Sequence, residues 1–216
     1  MTWLSEPWSY HLHTLSAIAW YILMGVQPYL ITRGNIKQHR LWGMLGIFIA
    51  GAVMFSALSI VPTNVYFGAI GGFEPVLPAS FFYGLVFTES LQILGFGLAV
   101  IMAIINAKKP DQHAIWMIST LFFGLMPGWV RLIMFPILIT GEGGGLDVQI
   151  CLNIGIPIFI FAVLIVGYRL KQLKHPAIIL SILFVFIMLF TLVIGGEEWY
   201  QELVTRIMKP TVPWKL

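Results

Sequence analysis

Charge is scarce in this chain. Charged side chains make up 10% of its 216 residues, where a soluble domain carries about 25%. With 59% hydrophobic residues and a mean hydropathy of +0.91, a water-soluble fold is excluded. Cysteine is scarcer still: Cys151 stands alone. One thiol allows no intrachain disulfide and no four-cysteine zinc or iron–sulfur site, so it reads as a small buried hydrophobe. The chain contains no Gly-x-Ser-x-Gly, no phosphate loop and no His-Glu-x-x-His. Its one glycine-rich stretch, from Gly141 to Gly145, reads as a flexible turn, since no lysine-bearing helix start follows it. A formal charge of +3 with dispersed basic residues argues against a nucleic-acid partner. The first ten residues lack Lys and Arg and include Glu6, unlike a cleaved secretory leader, so the first apolar run is expected to be retained.

What is abundant is apolar sequence in runs of about 20 residues, the length that crosses a bilayer. The pattern predicts an all-α, polytopic membrane helix bundle: a single transmembrane domain over 1–216. Its spans fall near 11–31, 41–61, 80–106, 114–139, 148–168 and 177–196. The linkers after the first, third and fifth spans hold eight of the twelve basic residues (Arg33, Lys37, Arg40, Lys108, Lys109, Arg169, Lys171, Lys174) against one acid, Asp111. Glu6, Glu74, Glu142, Asp147, Glu197, Glu198 and Glu202 fall on the other side. The positive-inside rule then predicts an inner-membrane protein with both termini on the periplasmic or extracellular side. Pro110 and Pro176 read as helix stops. The Gly- and Pro-rich segment 62–79 is expected to be a re-entrant or surface-lying lid, or a plain loop. The tail 197–216 has Trp199, Tyr200, Leu203, Ile207 and Met208 at near-helical spacing among charges. It predicts an amphipathic helix on the outer interface, ended by Pro210 and Pro213.

Gln38-His39-Arg40-Leu41-Trp42 and Gln112-His113-Ala114-Ile115-Trp116 echo each other 74 residues apart. Aligning them superposes Thr14 and Ser16 on Thr88 and Ser90, which suggests a parallel repeat of helices 1–2 and 3–4. Two readings of the histidines stand. In one, His39 and His113 are interfacial polar rings, with Trp42 and Trp116 in the aromatic belt. In the other, the imidazoles meet at the cytoplasmic face as a proton-responsive pair or as ligands to haem b or a metal. Each histidine lies at the mouth of its span, which counts against a buried bis-histidine haem. His11 and His13, two residues apart, face away from each other on one helix, so a four-histidine dihaem arrangement is not available. His175, in a basic loop beside Pro176, is expected to be solvent-exposed.

Two full charges fall within apolar runs, Glu89 in the third span and Arg131 in the fourth. Burying either alone costs about 3 kcal/mol or more. Their depths from the outer end are roughly 15 Å and 12 Å, and consecutive antiparallel helices are usually neighbours, so the two are expected to pair. Gln92, His13 and Asn153 reach the same level, and Pro127 and Pro157 are expected to bend their helices there. Either the pair is a structural lock, or these residues line an outward-facing polar pocket. In such a pocket Arg131 would hold an anion, a haem propionate or a quinone oxygen, while Glu89 handles a proton.

His39-Arg40-Leu41-Trp42-Gly43 and His113-Ala114-Ile115-Trp116-Met117, with Arg131 18 residues beyond the second histidine, resemble a family of bacterial integral membrane proteins. This is domain of unknown function 2306 (DUF2306), and the resemblance covers about residues 34–135. It implies a six- or seven-helix protein in which His39, His113 and Arg131 are the marked positions. The family often carries arginines just after the second histidine and six residues past it; here Ala114 or Ile115 and Ser119 stand there, so an anion-binding role for them does not carry over. Three function classes follow: a haem- or quinone-linked redox protein, a small-solute transporter or sensor, and a non-catalytic accessory subunit. The expected partners are the lipid bilayer and either another membrane protein or a second copy of the chain.

Overall fold

The computed structural model describes residues 8–73, 77–140 and 148–210, with residues 131 and 134–140 described by their backbone alone. The glycine-rich turn, the start of the chain and Pro213 lie outside the described residues. The chain is a multi-pass membrane helix bundle. Among the described residues, six helical segments are long and apolar enough to cross a bilayer. Their outward faces carry bare hydrophobic side chains such as Phe48, Leu94 and Phe161, an arrangement that lipid tolerates and water does not.

Helix α1 (Trp8–Thr32) turns sharply into α2 (Ile36–Ala69). Gly34 takes a left-handed φ of +71°, the conformation a helix stop requires and glycine adopts without a Cβ penalty. It closes a Schellman turn in which the Asn35 N–H donates to the Leu30 carbonyl at 2.9 Å and the Gly34 N–H to Ile31 at 2.9 Å. Asn35 then N-caps α2, its side chain accepting from the Gln38 N–H. At 34 residues, or about 50 Å, α2 runs well beyond the expected 41–61. Residues 62–69 of the segment expected to be a lid or loop are therefore helix that continues through Pro62. A two-residue antiparallel hairpin, β1 (Gly72–Phe73) with β2 (Leu77–Pro78), completes the connection.

Helices α3 (Ala79–Ile105), α4 (Pro110–Thr140) and α5 (Val148–Arg169) match the predicted spans closely. Pro110 and Pro176 open helices where they were expected to stop them: each is the first residue of its helix, where the missing N–H costs nothing. The sixth span is interrupted. Helix α6 (Pro176–Ile187) gives way to a 3-10 turn (Met188–Phe190) and resumes as α7 (Thr191–Gly196). The break sets α7 hard against α3: a Cβ on Gly195 would overlap the Ser80 carbonyl oxygen, and one on Gly84 the Thr191 carbonyl. Small residues allow this approach in the absence of a hydrophobic driving force between helices.

Helix α3 is the hub, packed on α2, α4, α6 and α7, and is the most buried of the six spans. Helix α1 is tied to the bundle by Trp20, which meets Phe96 edge-on at 5.1 Å and donates to Thr120 Oγ1 at 3.2 Å, and by Tyr21, which donates to the Gly124 carbonyl at 2.9 Å. The amphipathic tail helix α8 (Glu198–Met208) is present as expected. Tyr200 and Val204 pack on Val61, Val65, Tyr83 and Val86 in a satellite core, while Trp199, Leu203 and Ile207 stay exposed along one row.

Candidate functional site

At the end of the bundle opposite the basic loops, a cavity of about 280 Å³ opens between α1, α2, α3, α4 and the α6–α7 break. Its wall is aromatic and aliphatic, from Tyr10, Phe67, Phe81, Phe82 and Leu152. Glu89 supplies its carboxylate. The Asn64 amide donates to Glu89 Oε2 at 2.6 Å, a bond that orients the carboxyl group. Gln92, one turn on, also lines the cavity and donates to the Met188 sulfur at 3.2 Å.

Of the residues predicted for this pocket, Glu89 and Gln92 are there. His13 is not among the lining residues; its Nδ1 lies 3.2 Å from Ser56 Oγ, in a polar seam between α1 and α2 that also holds Ser16. Tyr10, one turn earlier, takes the cavity position. Asn153 is a correction: it is exposed and accepts from Gln149 at 2.8 Å, while its neighbour Leu152 faces the cavity. Adjacent helical residues point about 100° apart, and a one-residue error in phase turns a lining residue outward. The Arg131 side chain, and with it the predicted Glu89–Arg131 ion pair, lies outside the described residues, although its neighbours Pro127 and Val130 line the cavity. Asn64 was missed because 62–79 read as a lid or loop. The signal was the run without a charged residue from Leu41 to Phe73, through a proline that a membrane helix can accommodate.

At the basic end, the two echoing stretches come together. His39 and His113 are each the fourth residue of their helices, and their rings meet edge-on with centroids 6.3 Å apart. The rest of the two stretches diverges. Gln38 and Trp42 are exposed, whereas Trp116 is buried and Gln112 accepts from His175 at 2.7 Å. Trp116 is therefore not a belt residue. His175, expected in solvent, is 7% exposed: its Nδ1 N-caps α6 by accepting from the Ala177 N–H at 3.1 Å, and its ring meets Trp116 at 5.5 Å. Burial holds its pKa below the ordinary histidine value. A haem between His39 and His113 would need a porphyrin-sized slot. His39 Nδ1 is fully enclosed by protein, and neither the cavity above nor the open cleft between α4 and the α5–α6 turn is lined by either histidine. The pair does not fit haem b.

With this geometry in hand, comparison with family models, curated proteins and solved structures finds no match. The residues themselves carry the functional argument.

Proposed function

We propose that this chain is a bacterial inner-membrane protein of the DUF2306 type, with both termini on the periplasmic side, that binds a quinone-class ligand in the cavity around Glu89. The carrying observation is a carboxyl group, held by Asn64, at the wall of a cavity lined mostly by aromatic and aliphatic side chains. Ligand pockets of this kind enclose about 300–1,000 Å³ and combine an apolar wall with a few placed polar groups. The 280 Å³ here suits a single substituted ring and its first tail atoms. Glu89 would exchange the proton that accompanies a change of redox state in the ring. The Gln92 carbonyl oxygen and Tyr10 offer further polar contacts. The electrons are assigned to a separate membrane partner.

The test is saturable binding of a short-chain quinone to protein reconstituted in lipid nanodiscs, read by thermal shift and by quenching of intrinsic fluorescence. Glu89→Gln should leave the protein folded and weaken binding about tenfold, and Asn64→Leu should do the same to a smaller degree. Binding no tighter than that of an apolar control ligand, or unchanged in Glu89→Gln, refutes the reading. One observation favours small-solute transport as a second reading. Met188 and Thr191, at the edges of the helix break, line the same cavity, and discontinuous helices frame the sites of many transporters. Uptake of a labelled solute into proteoliposomes, abolished by Glu89→Gln, would favour it over quinone binding.

A further inference from the structure

The open cleft at the basic end, between α4 and the α5–α6 turn, has no part in the Glu89 reading. It encloses about 610 Å³, and its wall includes Gln112, Tyr168, Lys171, Leu173, Lys174 and Pro176. Both lysines are exposed, and among the described residues neither side chain has a hydrogen-bond or ion-pair partner. Asp111 sits beside Gln112 on the first turn of α4, yet forms no ion pair with either. A cleft lined by charge of one sign focuses its field and gathers counter-ions. The start of α6 does not supply the anion site. Its Ala177 N–H is bonded to His175 Nδ1, and its Ile178 and Ile179 N–H groups to the His175 carbonyl. Because His175 Nδ1 accepts, its Nε2–H donates to Gln112 Oε1 at 2.7 Å. The Gln112 amide nitrogen then keeps its protons without a protein acceptor among the described residues, a neutral donor in the same wall as the lysines.

The backbone singles out Lys171. Helix α5 ends in a Schellman turn, with the Gln172 N–H donating to the Gly167 carbonyl at 2.8 Å and the Lys171 N–H to Tyr168 at 3.0 Å. The α1–α2 turn has the same pair of bonds, and there the left-handed residue is Gly34 at a φ of +71°. Here it is a lysine at +55°, which bears a Cβ penalty that glycine avoids. The fold alone would be served better by glycine, and a strained backbone of this kind points to a task for the side chain.

Apolar surface continues from the cleft along α5. Tyr168 and Leu173 in the wall are 71% and 42% exposed. Ile165 and Phe161, three and seven residues before Tyr168 on one helical face, are bare as well. Helix α5 is one of the six spans, so this row leads from the level of the headgroups into the hydrocarbon. Two cations and an amide donor at the end of such a row match an acidic headgroup and its acyl chain, whereas a free phosphate would use the polar half alone.

We propose that this cleft binds the phosphodiester headgroup of an anionic glycerophospholipid, held by Lys171, Lys174 and Gln112, with one acyl chain along Tyr168, Ile165 and Phe161. Basic pockets between membrane helices recognise headgroups of this class.

The test titrates the detergent-solubilised full chain with phosphatidylglycerol and with phosphatidylcholine of the same acyl chains. Retained lipid is counted by native mass spectrometry, and the unfolding temperature is followed alongside. The wild type should retain one phosphatidylglycerol in preference to phosphatidylcholine. A lysine near a headgroup strengthens binding about fivefold, so Lys171→Gly and Lys174→Gln should each lower the preference by about that factor. The double variant should abolish it. Lys171→Gly should unfold no earlier than wild type without lipid, since it relieves the left-handed turn, so its loss of lipid is not a loss of fold. Arg33→Gln with Lys37→Gln removes the same charge from the α1–α2 turn, outside the cleft, and should leave the preference unchanged. Absence of a preference overturns the proposal, as does one that survives the Lys171/Lys174 double variant or falls equally in the Arg33/Lys37 control. Stabilisation by soluble glycerol phosphate equal to that by the lipid assigns the cleft to a free phosphate ester and overturns it too.

Discussion

Replacing His175 tests the joint between α4 and the start of α6. The ring accepts from the Ala177 N–H at 3.1 Å, donates to Gln112 Oε1 at 2.7 Å and meets Trp116 edge-on at 5.5 Å. Removing an N-cap costs about 1 kcal/mol, the buried side-chain bond about another 1, and the aromatic contact roughly 0.5–1. His175→Ala should therefore lose roughly 2–3 kcal/mol. His175→Asn, which restores the cap but not the link to Gln112, should recover about 1 kcal/mol of that. The same geometry sets a pH dependence. Nδ1 must stay unprotonated to accept, and burial lowers the pKa from its ordinary value of about 6.5. Stability contributed by His175 is thus complete above about pH 6.5 and declines as the pH falls from there towards the lowered folded value. The assay is the apparent unfolding temperature of detergent-solubilised wild type, His175→Ala and His175→Asn between about pH 8 and pH 5. The gap between wild type and each variant should narrow with acid. A gap that stays constant, or an alanine variant as stable as the asparagine one, would refute the reasoning.

Other outcomes follow from single positions. Gly195→Ala places a Cβ on the Ser80 carbonyl oxygen and should destabilise by about 1–3 kcal/mol. Gly196→Ala, where nothing lies within 4 Å, is the matched control and should be neutral in the same thermal-shift assay. Lys171 ends α5 at a φ of +55°, with the Gln172 N–H donating to the Gly167 carbonyl; Lys171→Gly relieves the left-handed strain and should raise stability by up to about 1 kcal/mol. Burial pushes the Tyr200 hydroxyl up to about 12. In an alkaline ultraviolet titration, the difference between wild type and Tyr200→Phe should therefore appear near 12. A difference centred near 10, the ordinary tyrosine value, would show that α8 does not dock on α2 and α3. Because the folded value is raised, the stability that Tyr200 contributes is present below about pH 10 and lost as the pH climbs through the folded value.

The candidate site was half legible from sequence. Glu89 and Gln92 were readable because a charge and an amide in an apolar run are rare, and one helical turn places them together. The meeting of His39 and His113 was one of the two readings that the echo of the two stretches left open. Asn64 was hidden by a proline-and-glycine count that mistook the end of a long helix for a lid or loop. Asn153 was misplaced because depth along a helix is set by residue number, whereas the face is set by a rotation that neighbouring helices decide. His175 looked like a loop residue beside a proline; its role as the cap that joins α6 to Gln112 exists only once α4 lies alongside.

The sequence by itself determined the membrane class, the number of crossings, the end that carries the basic loops, and most helix boundaries. These follow from local composition, since about 20 apolar residues must span the hydrocarbon as helix and each turn carries its own stop and cap. The tertiary structure alone decided which side chains share a space. It brought Asn64 to Glu89, turned Asn153 outward, broke the sixth span, and pressed Gly195 against Ser80. Those outcomes depend on the rotation and close approach of helices distant in sequence. In lipid that is governed by packing and by the need to satisfy buried polar groups, and a hydropathy pattern encodes neither.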